Sequence, residues 1–355
     1  MAAAGVTRLD LTVRAGTGRW PPDLPMIPGR EVAGVVESLG DGVEPRWLGR
    51  RVVTCLGLAA GGYAELAVRE AAAVHEIADG VSDHAAVTAI GTGRAAVGIL
   101  DVAGLTPEDV VLVLGSAGGV GSLLVQATVH MGATVAGVAG GPAKTAVTRR
   151  LGAAVTVDHT RPGWPERVCE ELDGRQVTVA FDGIGGSLGR TALELLGHGG
   201  RLIMYGWLSG HPVDVSPREL YERGLSLCAA PGPSMPGRPG GVRRLEERAL
   251  AMVTDGTLTP LVQRFALSNA AAAHTALESR NTAGKSSRKR RATHWPCWSC
   301  SPPSGRVSSW QSRTARAPSP HSAVSSRRSP TASPRCPRRR RSCCWWPPPS
   351  RTATP

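Results

Sequence analysis

The strongest chemical signal in the 355-residue sequence is the run Val110-Val-Leu-Val-Leu-Gly115-Ser116-Ala-Gly118-Gly119-Val120-Gly121, which leads into a helix-like stretch. A buried strand, a glycine-rich turn and a helix start together make an anion site, because free backbone N–H groups and the positive helix end face the same point. A pyrophosphate suits such a site. Gly118 would let the backbone approach the phosphates, and Gly121 would let the helix pack close to the strand. Ser116 stands where the usual Gly-x-Gly-x-x-Gly has its first glycine, so the match is imperfect. A tight turn with no ligand is the alternative. The strand before the turn, the helix after it and the repeating βα pattern around it favour the dinucleotide reading.

The end of the following strand decides which dinucleotide is expected. NAD-binding chains place an Asp or Glu there to hold the ribose hydroxyls. This chain has Val138-Ala139-Gly140-Gly141-Pro142-Ala143-Lys144, with no acid, room for a phosphate beside Gly140, and a lysine one turn on. The expected cofactor is therefore NADPH, with Lys144 reading its 2′-phosphate. A solvated helix lysine is the alternative for Lys144.

These residues need elements to carry them. Val110–Leu114 is continuously apolar, as in a strand buried on both faces. Helices are predicted over 119–131, 143–151 and 164–172, and strands over 134–139, 154–158 and 177–182, with one more helix–strand pair over 188–205. Strands alternating with helices mean a doubly wound parallel sheet. Upstream, 31–39, 51–55 and 63–68 read as short strands punctuated by Gly40, Gly42, Gly49 and Gly61-Gly62, a β-rich unit. From about 245, helix and short strand return, ending at Lys285. The fold class is α/β.

The net charge is +13, which for a uniform chain would suggest a nucleic-acid or membrane-surface protein. The charge is not uniform. Residues 286–355 hold one Lys, 14 Arg and no Asp or Glu. Subtracting this +15 from +13 leaves −2 for residues 1–285, the balance of an ordinary soluble enzyme. Only Cys55, Cys169 and Cys228 lie in that body, too scattered for a disulfide framework and consistent with a reducing cytosol. No apolar run reaches the roughly 18–20 residues of a membrane span, and the N-terminus lacks a secretion signal. A cytoplasmic location with no membrane partner is expected. Residues 286–355 also carry 16 Ser and 12 Pro but no Leu, Ile, Phe, Tyr or Met, so they cannot bury a core and should be disordered.

An ordered set of short motifs carries a resemblance. They are Gly5-Val-Thr-Arg-Leu-Asp10, Ile27-Pro-Gly-Arg-Glu-Val-Ala-Gly34, Gly61-Gly-Tyr-Ala-Glu65, the Gly115–Gly121 turn, Ala143-Lys144, Leu151-Gly-Ala153, Val157-Asp158, Phe181-Asp-Gly-Ile-Gly-Gly186, Gly200-Arg201 and Tyr205-Gly206. Over residues 2–285 the chain resembles the zinc-free quinone oxidoreductase branch of the medium-chain dehydrogenase/reductase superfamily. The resemblance implies a GroES-like catalytic domain (1–93 and 241–285), a Rossmann domain (94–240) and a cleft between them. It implies hydride transfer from NADPH to a quinone, enone or related carbonyl compound, with the protein positioning a nicotinamide that does the chemistry. It also implies a homodimer.

Carried over residue by residue, Gly118, Gly119, Val120 and Gly121 would hold the pyrophosphate, and Tyr205, Gly206 and Ser209 would lie near the nicotinamide. His159 stands where relatives often have a Tyr near the adenosine; a surface histidine is the alternative. Tyr63 and Asp10 would line or support the catalytic cleft, with a strand-packing aromatic as the alternative for Tyr63. Thr7 replaces an Asn common in this branch, and Ala95 falls where a Thr often touches the nicotinamide. The proton would come from water or Tyr63. Zinc-dependent relatives have Cys at the position of Thr7 and His at that of Arg30; neither Thr nor Arg fills a catalytic zinc site, so no metal is expected.

Both ends depart from the family. Relatives begin with a β-hairpin that this sequence lacks, and they end on Thr-x-Gly-Lys followed by a Val-rich strand. Here Thr282-Ala-Gly-Lys285 runs into Ser286-Ser-Arg-Lys-Arg-Arg291. Two valines encoded GTC GTC and read one base late give Ser-Ser, so residues 286–355 read as a frameshifted tail. Arg288–Arg291 and Cys297-Trp-Ser-Cys300 then read as accidents of composition, and no specific nucleic-acid partner is expected. Two competing readings are a dinucleotide-binding protein without turnover and a nucleic-acid binder acting through the tail.

Overall fold

The computed structural model describes residues 1–17, 24–57, 60–230 and 240–289. The chain divides into two units, Met1–His294 and Trp295–Pro355. The second lies outside the described residues, as does the expectation of a disordered tail beyond Lys289.

In chain order the strands are β1 (Ala3–Val6), β2 (Glu31–Val35), β3 (Arg51–Cys55), β4 (His75–Glu76), β5 (Val110–Leu114), β6 (Thr134–Ala139), β7 (Val155–Asp158), β8 (Val177–Asp182), β9 (Leu196–Met204), β10 (Ser226–Ala229), β11 (Val262–Ala266) and β12 (Lys285–Lys289). The helices are α1 (Arg8–Arg14), α2 (Asp83–Thr88), α3 (Arg94–Ala103), α4 (Gly119–His130), α5 (Pro142–Arg150), α6 (Trp164–Glu171), α7 (Gly186–Glu194), α8 (Pro217–Arg223), α9 (Gly241–Thr254) and α10 (Ala270–Glu278).

Strands β5 to β10 form one sheet in the order β10-β9-β8-β5-β6-β7, parallel throughout. The chain winds outward from β5 to β7, returns to β8 and winds outward the other way. The switch point therefore lies between β5 and β8, where open sheets of this kind bind ligands. All of β5 is buried. Leu112 and Leu114 belong to one core layer; Val111 and Val113 belong to the other, with Phe181 and Ile203. A continuous apolar strand is what two covered faces require.

The second sheet draws on both ends of the sequence, in the order β11-β12-β1-β2-β3-β4. β12 sits inside it, parallel to β11 and antiparallel to β1. This corrects the expectation that order ends at Lys285. Lys-Ser-Ser-Arg-Lys has little strand propensity of its own. The slot between β11 and β1 offers backbone hydrogen bonds on both sides, and those bonds do not depend on side chains. The result is a strand with Ser286 and Ser287 at 1% and 0% exposure.

Two other expectations change. Tyr63–Val68 is not a strand; Leu66 and Val68 point outward, 65% and 96% exposed, so the run has no apolar face to bury. In addition, α2, a π-helical turn at Ala89–Gly93 and α3 join into one helical stretch, Asp83–Ala103, long and apolar enough to cross a membrane by length and composition. Here most of it is buried in the protein, with Val87 and Ile90 in one core cluster and Ala89 and Val97 in another. The sequence reading missed it because Gly91, Gly93 and Arg94 interrupt the apolar run.

Candidate functional site

β5 delivers the chain to Gly115, whose φ of +63° starts the turn. Gly118 caps α4 in an extended conformation (φ −77°, ψ 176°), and α4 starts at Gly119. As the first residues of a helix, Gly119, Val120 and Gly121 direct backbone N–H groups outward without helical acceptors. A Cβ at Gly121 would collide with the Gly115 carbonyl, and one at Gly118 would stand 3.1 Å from the same oxygen. The turn can only be this tight with glycine there, so the cradle fits a pyrophosphate. It is also braced from the other sheet. Gly284, just before β12, donates its N–H to the Ala117 carbonyl at 2.8 Å and bridges Gly118.

Ser116 does not belong to the cradle. It is fully buried, donates to the Val138 carbonyl at 3.1 Å and shares a hydrogen bond with Thr148 Oγ1 at 2.8 Å. Its hydroxyl ties β5, β6 and α5 together behind the turn.

Lys144, His159 and Gly140 gather at the end of β6. Gly140 leaves space that His159 fills: a Cβ there would meet His159 Nε2 at 3.1 Å. Lys144 lies on α5 and donates from Nζ to the Arg280 backbone carbonyl at 2.6 Å. Burial, and then the Arg280 charge, hold the Lys144 ammonium below its usual range. Burial also lowers His159; Asp158 opposes the shift, and Lys144 and Arg280 add to it. These mutual effects describe a corner of three cationic or basic groups near one another. Arg280 escaped the sequence reading, since it comes from beyond α10; its one local mark is a φ of +57°, uncommon outside glycine. Asp158 is occupied in shaping the loop. It accepts from Gly141 N at 2.8 Å and Thr160 Oγ1 at 2.7 Å, bonds that hold its carboxyl down at about 2.

Tyr205, Gly206 and Ser209 follow β9 across the switch point. Tyr205 N donates to the Asp182 carbonyl at 2.8 Å and Ser209 N to that of Ile184 at 2.8 Å. The Tyr205 ring lies so close over Gly183 that a Cβ there would overlap it. Burial and the neighbouring Asp182 raise the Tyr205 phenol above its usual range, so it is a poor proton donor. Asp182 is wholly buried; its Oδ1 accepts from Ile184 N at 2.7 Å and Gly185 N at 2.8 Å and fixes this loop.

In the other sheet, Asp10 and Tyr63 part company. Asp10 completes a capping box with Thr7: its Oδ2 accepts from Thr7 N and Thr7 Oγ1, both at 2.7 Å. It is buried and caps the start of α1. Tyr63 packs against Gly29, where any side chain would overlap its ring. Its Oη lies 3.2 Å from His274 Nε2 on α10. His274 Nδ1 in turn lies 3.1 Å from Arg14 Nη1 on α1, and Arg14 pairs with Glu278. Sequence pattern alone did not single out His274 or Arg14.

Beneath these lies a seam of buried charge. Glu31 pairs with Lys285 at 2.6 Å, enclosed by Gly5 and Gly91, at either of which a Cβ would collide with its carboxylate. Glu246 accepts from Arg94 at 2.5 Å and lies 3.0 Å from His75 Nε2.

A doubly wound sheet with a glycine-rich turn at its switch point, joined to a β-rich domain drawn from both chain ends, defines a two-domain dehydrogenase/reductase. The family model described as an alcohol dehydrogenase GroES-like domain matches residues 1–79, and that described as a zinc-binding dehydrogenase matches residues 119–245. The quinone oxidoreductase of Salmonella typhimurium is 31% identical over 304 residues, covering 80% of this chain and 88% of that protein. Among solved structures, Escherichia coli quinone oxidoreductase complexed with NADPH aligns with a TM-score of 0.72 at 25% identity, over 81% of this chain and 89% of that one. An NAD-dependent alcohol dehydrogenase aligns equally well, with a TM-score of 0.72 at 28% identity over 81% and 90%. The chain belongs to the medium-chain dehydrogenase/reductase superfamily, in its quinone oxidoreductase-like family, and is an oxidoreductase of that kind.

Proposed function

We propose that this chain is a zinc-independent, NADPH-dependent reductase of quinones, enones or related carbonyl compounds. The observation that carries the cofactor choice is the corner of Lys144, His159 and Arg280 at the end of β6, where no Asp or Glu stands on that strand to hold a ribose diol. A 2′-phosphate would there replace the Arg280 carbonyl as the acceptor for Lys144. The N–H groups of Gly119, Val120 and Gly121 would hold the pyrophosphate, and Tyr205, Gly206 and Ser209 would flank the nicotinamide. When bound, the dinucleotide supplies the hydride. Zinc independence rests on Thr7 and Arg30 at the two ligand positions of zinc-dependent relatives, and the Thr7 hydroxyl is already committed to Asp10.

The resemblance further implies a homodimer. β10, the exposed edge of the parallel sheet, is where a second copy would extend it. Fluorescence titration of the full chain with NADPH and NADH tests the cofactor, and NADPH oxidation with a quinone tests the reaction. Tighter NADPH binding together with turnover is expected. Preference for NADH would overturn the cofactor choice. Binding without turnover would leave a dinucleotide-binding protein in place of a reductase.

A further inference from the structure

Resting on the dinucleotide reading of the glycine-rich turn, we propose that Glu31 and Lys285 are positioning residues for that site. Their buried ion pair sets the register of β12 and so seats residues 280–284 as a strap across the turn. Lys285 Nζ donates to Glu31 Oε2 at 2.6 Å, and the two residues are 5% and 7% exposed. Away from water, a charge left without its partner is strongly unfavourable, so each fixes where the other can stand. β12 needs such a pin. Lys-Ser-Ser-Arg-Lys has no alternation of apolar and polar residues to choose a face, and a strand without that pattern slips easily. A slip of one residue would turn Lys285 to the opposite face of the sheet and carry Gly284 about 3.3 Å along the strand. As paired, Lys285 stands opposite Val262 of β11, and Ser286 opposite Val6 of β1. Two places beyond Lys285, Ser287 adds a polar tie to His84.

The pin acts on the turn through its nearest neighbour. Gly284 N donates to the Ala117 carbonyl at 2.8 Å, and Gly284 bridges Gly118. Lys285 N donates to the Leu261 carbonyl at 2.7 Å. Gly284 has a φ of +71°, and a Cβ there would collide with Leu261. Only glycine lets the chain make both bonds. A second path also leads from Glu31 to the turn. Its carboxylate lies against Gly91 of the π-helical turn, and the next residue, Thr92, has its methyl carbon 3.5 Å from where a Cβ of Gly119 would stand. Gly119 opens α4, whose free N–H groups form the anion cradle. At the far end of the strap, the Arg280 carbonyl accepts from Lys144 Nζ. Residues 280–285 thus tie the second sheet both to the glycine-rich turn and to the corner at the end of β6.

The pyrophosphate is common to NADPH and NADH, so loosening the anchor should weaken both. In fluorescence titrations of the full chain, Glu31→Gln and Lys285→Met are each expected to raise the Kd for both dinucleotides by about fivefold or more. Because the two residues act as one unit, the double variant should bind no more weakly than the worse single one. It carries no lone buried charge, so it keeps the test open if a single variant fails to fold. Amide hydrogen exchange without ligand reads the strap itself. The Gly284 N–H should exchange about tenfold faster in the double variant than in the parent, while the Leu112 N–H of β5 keeps the parent's rate. Unchanged Kd values, single losses that add, or a loss confined to NADPH would each overturn the positioning of the turn. Unchanged exchange at Gly284 would remove the anchor, and equal acceleration at Gly284 and Leu112 would reduce it to general stability. A parent chain that binds neither NADPH nor NADH would instead sink the dinucleotide reading, and exchange at Gly284 would still decide whether the ion pair holds the strap.

Discussion

Lys144 has one acceptor in this structure and a better one in the proposed complex. A backbone carbonyl is neutral; a phosphate oxygen is charged, and a hydrogen bond to a charged group contributes about 1.5–3 kcal/mol. Lys144→Met is therefore expected to raise the Kd for NADPH by roughly tenfold to a hundredfold, with NADH affected less than twofold, as read by fluorescence titration. Arg280→Met should follow the same pattern more weakly. Equal losses for both dinucleotides would mean that Lys144 serves the fold and not the phosphate. Lys144 was legible because the glycine turn, the missing acid and the lysine fall within one stretch of sequence. Arg280 was not, since 136 positions separate it from its partner and no local pattern announces it. Ser116 shows the converse. Motif position gives spacing but not exposure, and a residue placed by a phosphate-binding pattern turns out to face the protein interior.

At the scale of elements, the strands facing two covered layers could be read directly: β5, β6 and β8 lie where the apolar run of β5 and the alternation of strands with helices placed them. β12 could not, because its place is set by the slot it fills. That slot makes an unusual demand. Ser287 Oγ lies 2.5 Å from His84 Nδ1, whereas the buried Ser286 Oγ has no partner among the described residues. An unsatisfied buried hydroxyl costs about 1–3 kcal/mol. Ser286→Val should accordingly stabilise the protein by about 1–2 kcal/mol, since it removes the orphan and adds a side chain suited to strands. Ser287→Val should give no gain, because it strips a partner from His84. Urea unfolding midpoints of the two variants check the contrast, and a gain from both would contradict the pairing of Ser287 with His84.

At the scale of the whole molecule, buried charge joins elements far apart in sequence. Gly5, Glu31, Gly91 and Lys285 belong to four separate stretches and meet at one carboxylate; the motifs were visible in the sequence, but their meeting was not. Glu246 joins α9 to β4 and α3 in the same way. Burial acts to raise its carboxyl, but His75 and Arg94 more than offset this, leaving it below the ordinary 4.5. A carboxylate depressed in the folded state stabilises the fold above its unfolded value and loses that contribution as the pH falls through the folded one. Unfolding midpoints should thus decline below about pH 4.5, and Glu246→Gln should be less stable at neutral pH with a shallower acid decline. A variant as acid-sensitive as the parent would place the effect elsewhere. The +15 charge of residues 286–355 predicts salt-sensitive retention on a polyanion column. Ending the chain after Lys289 should remove most of that retention and leave NADPH binding unchanged; ending it after Lys285 should abolish binding, because β12 goes with it. Equal binding by both truncations would show that β12 is dispensable.

The pairing of Ala3 with Lys289 also sets a timetable for synthesis. At about 5–20 residues per second, roughly 15–60 s pass between the emergence of β1 and that of β12 from the ribosome. The parallel sheet, confined to residues 110–229, is complete well before then. The nascent chain therefore carries a finished nucleotide-type domain while β1 still has one unpaired edge. That interval is when a chaperone, or a second nascent chain, has its opening.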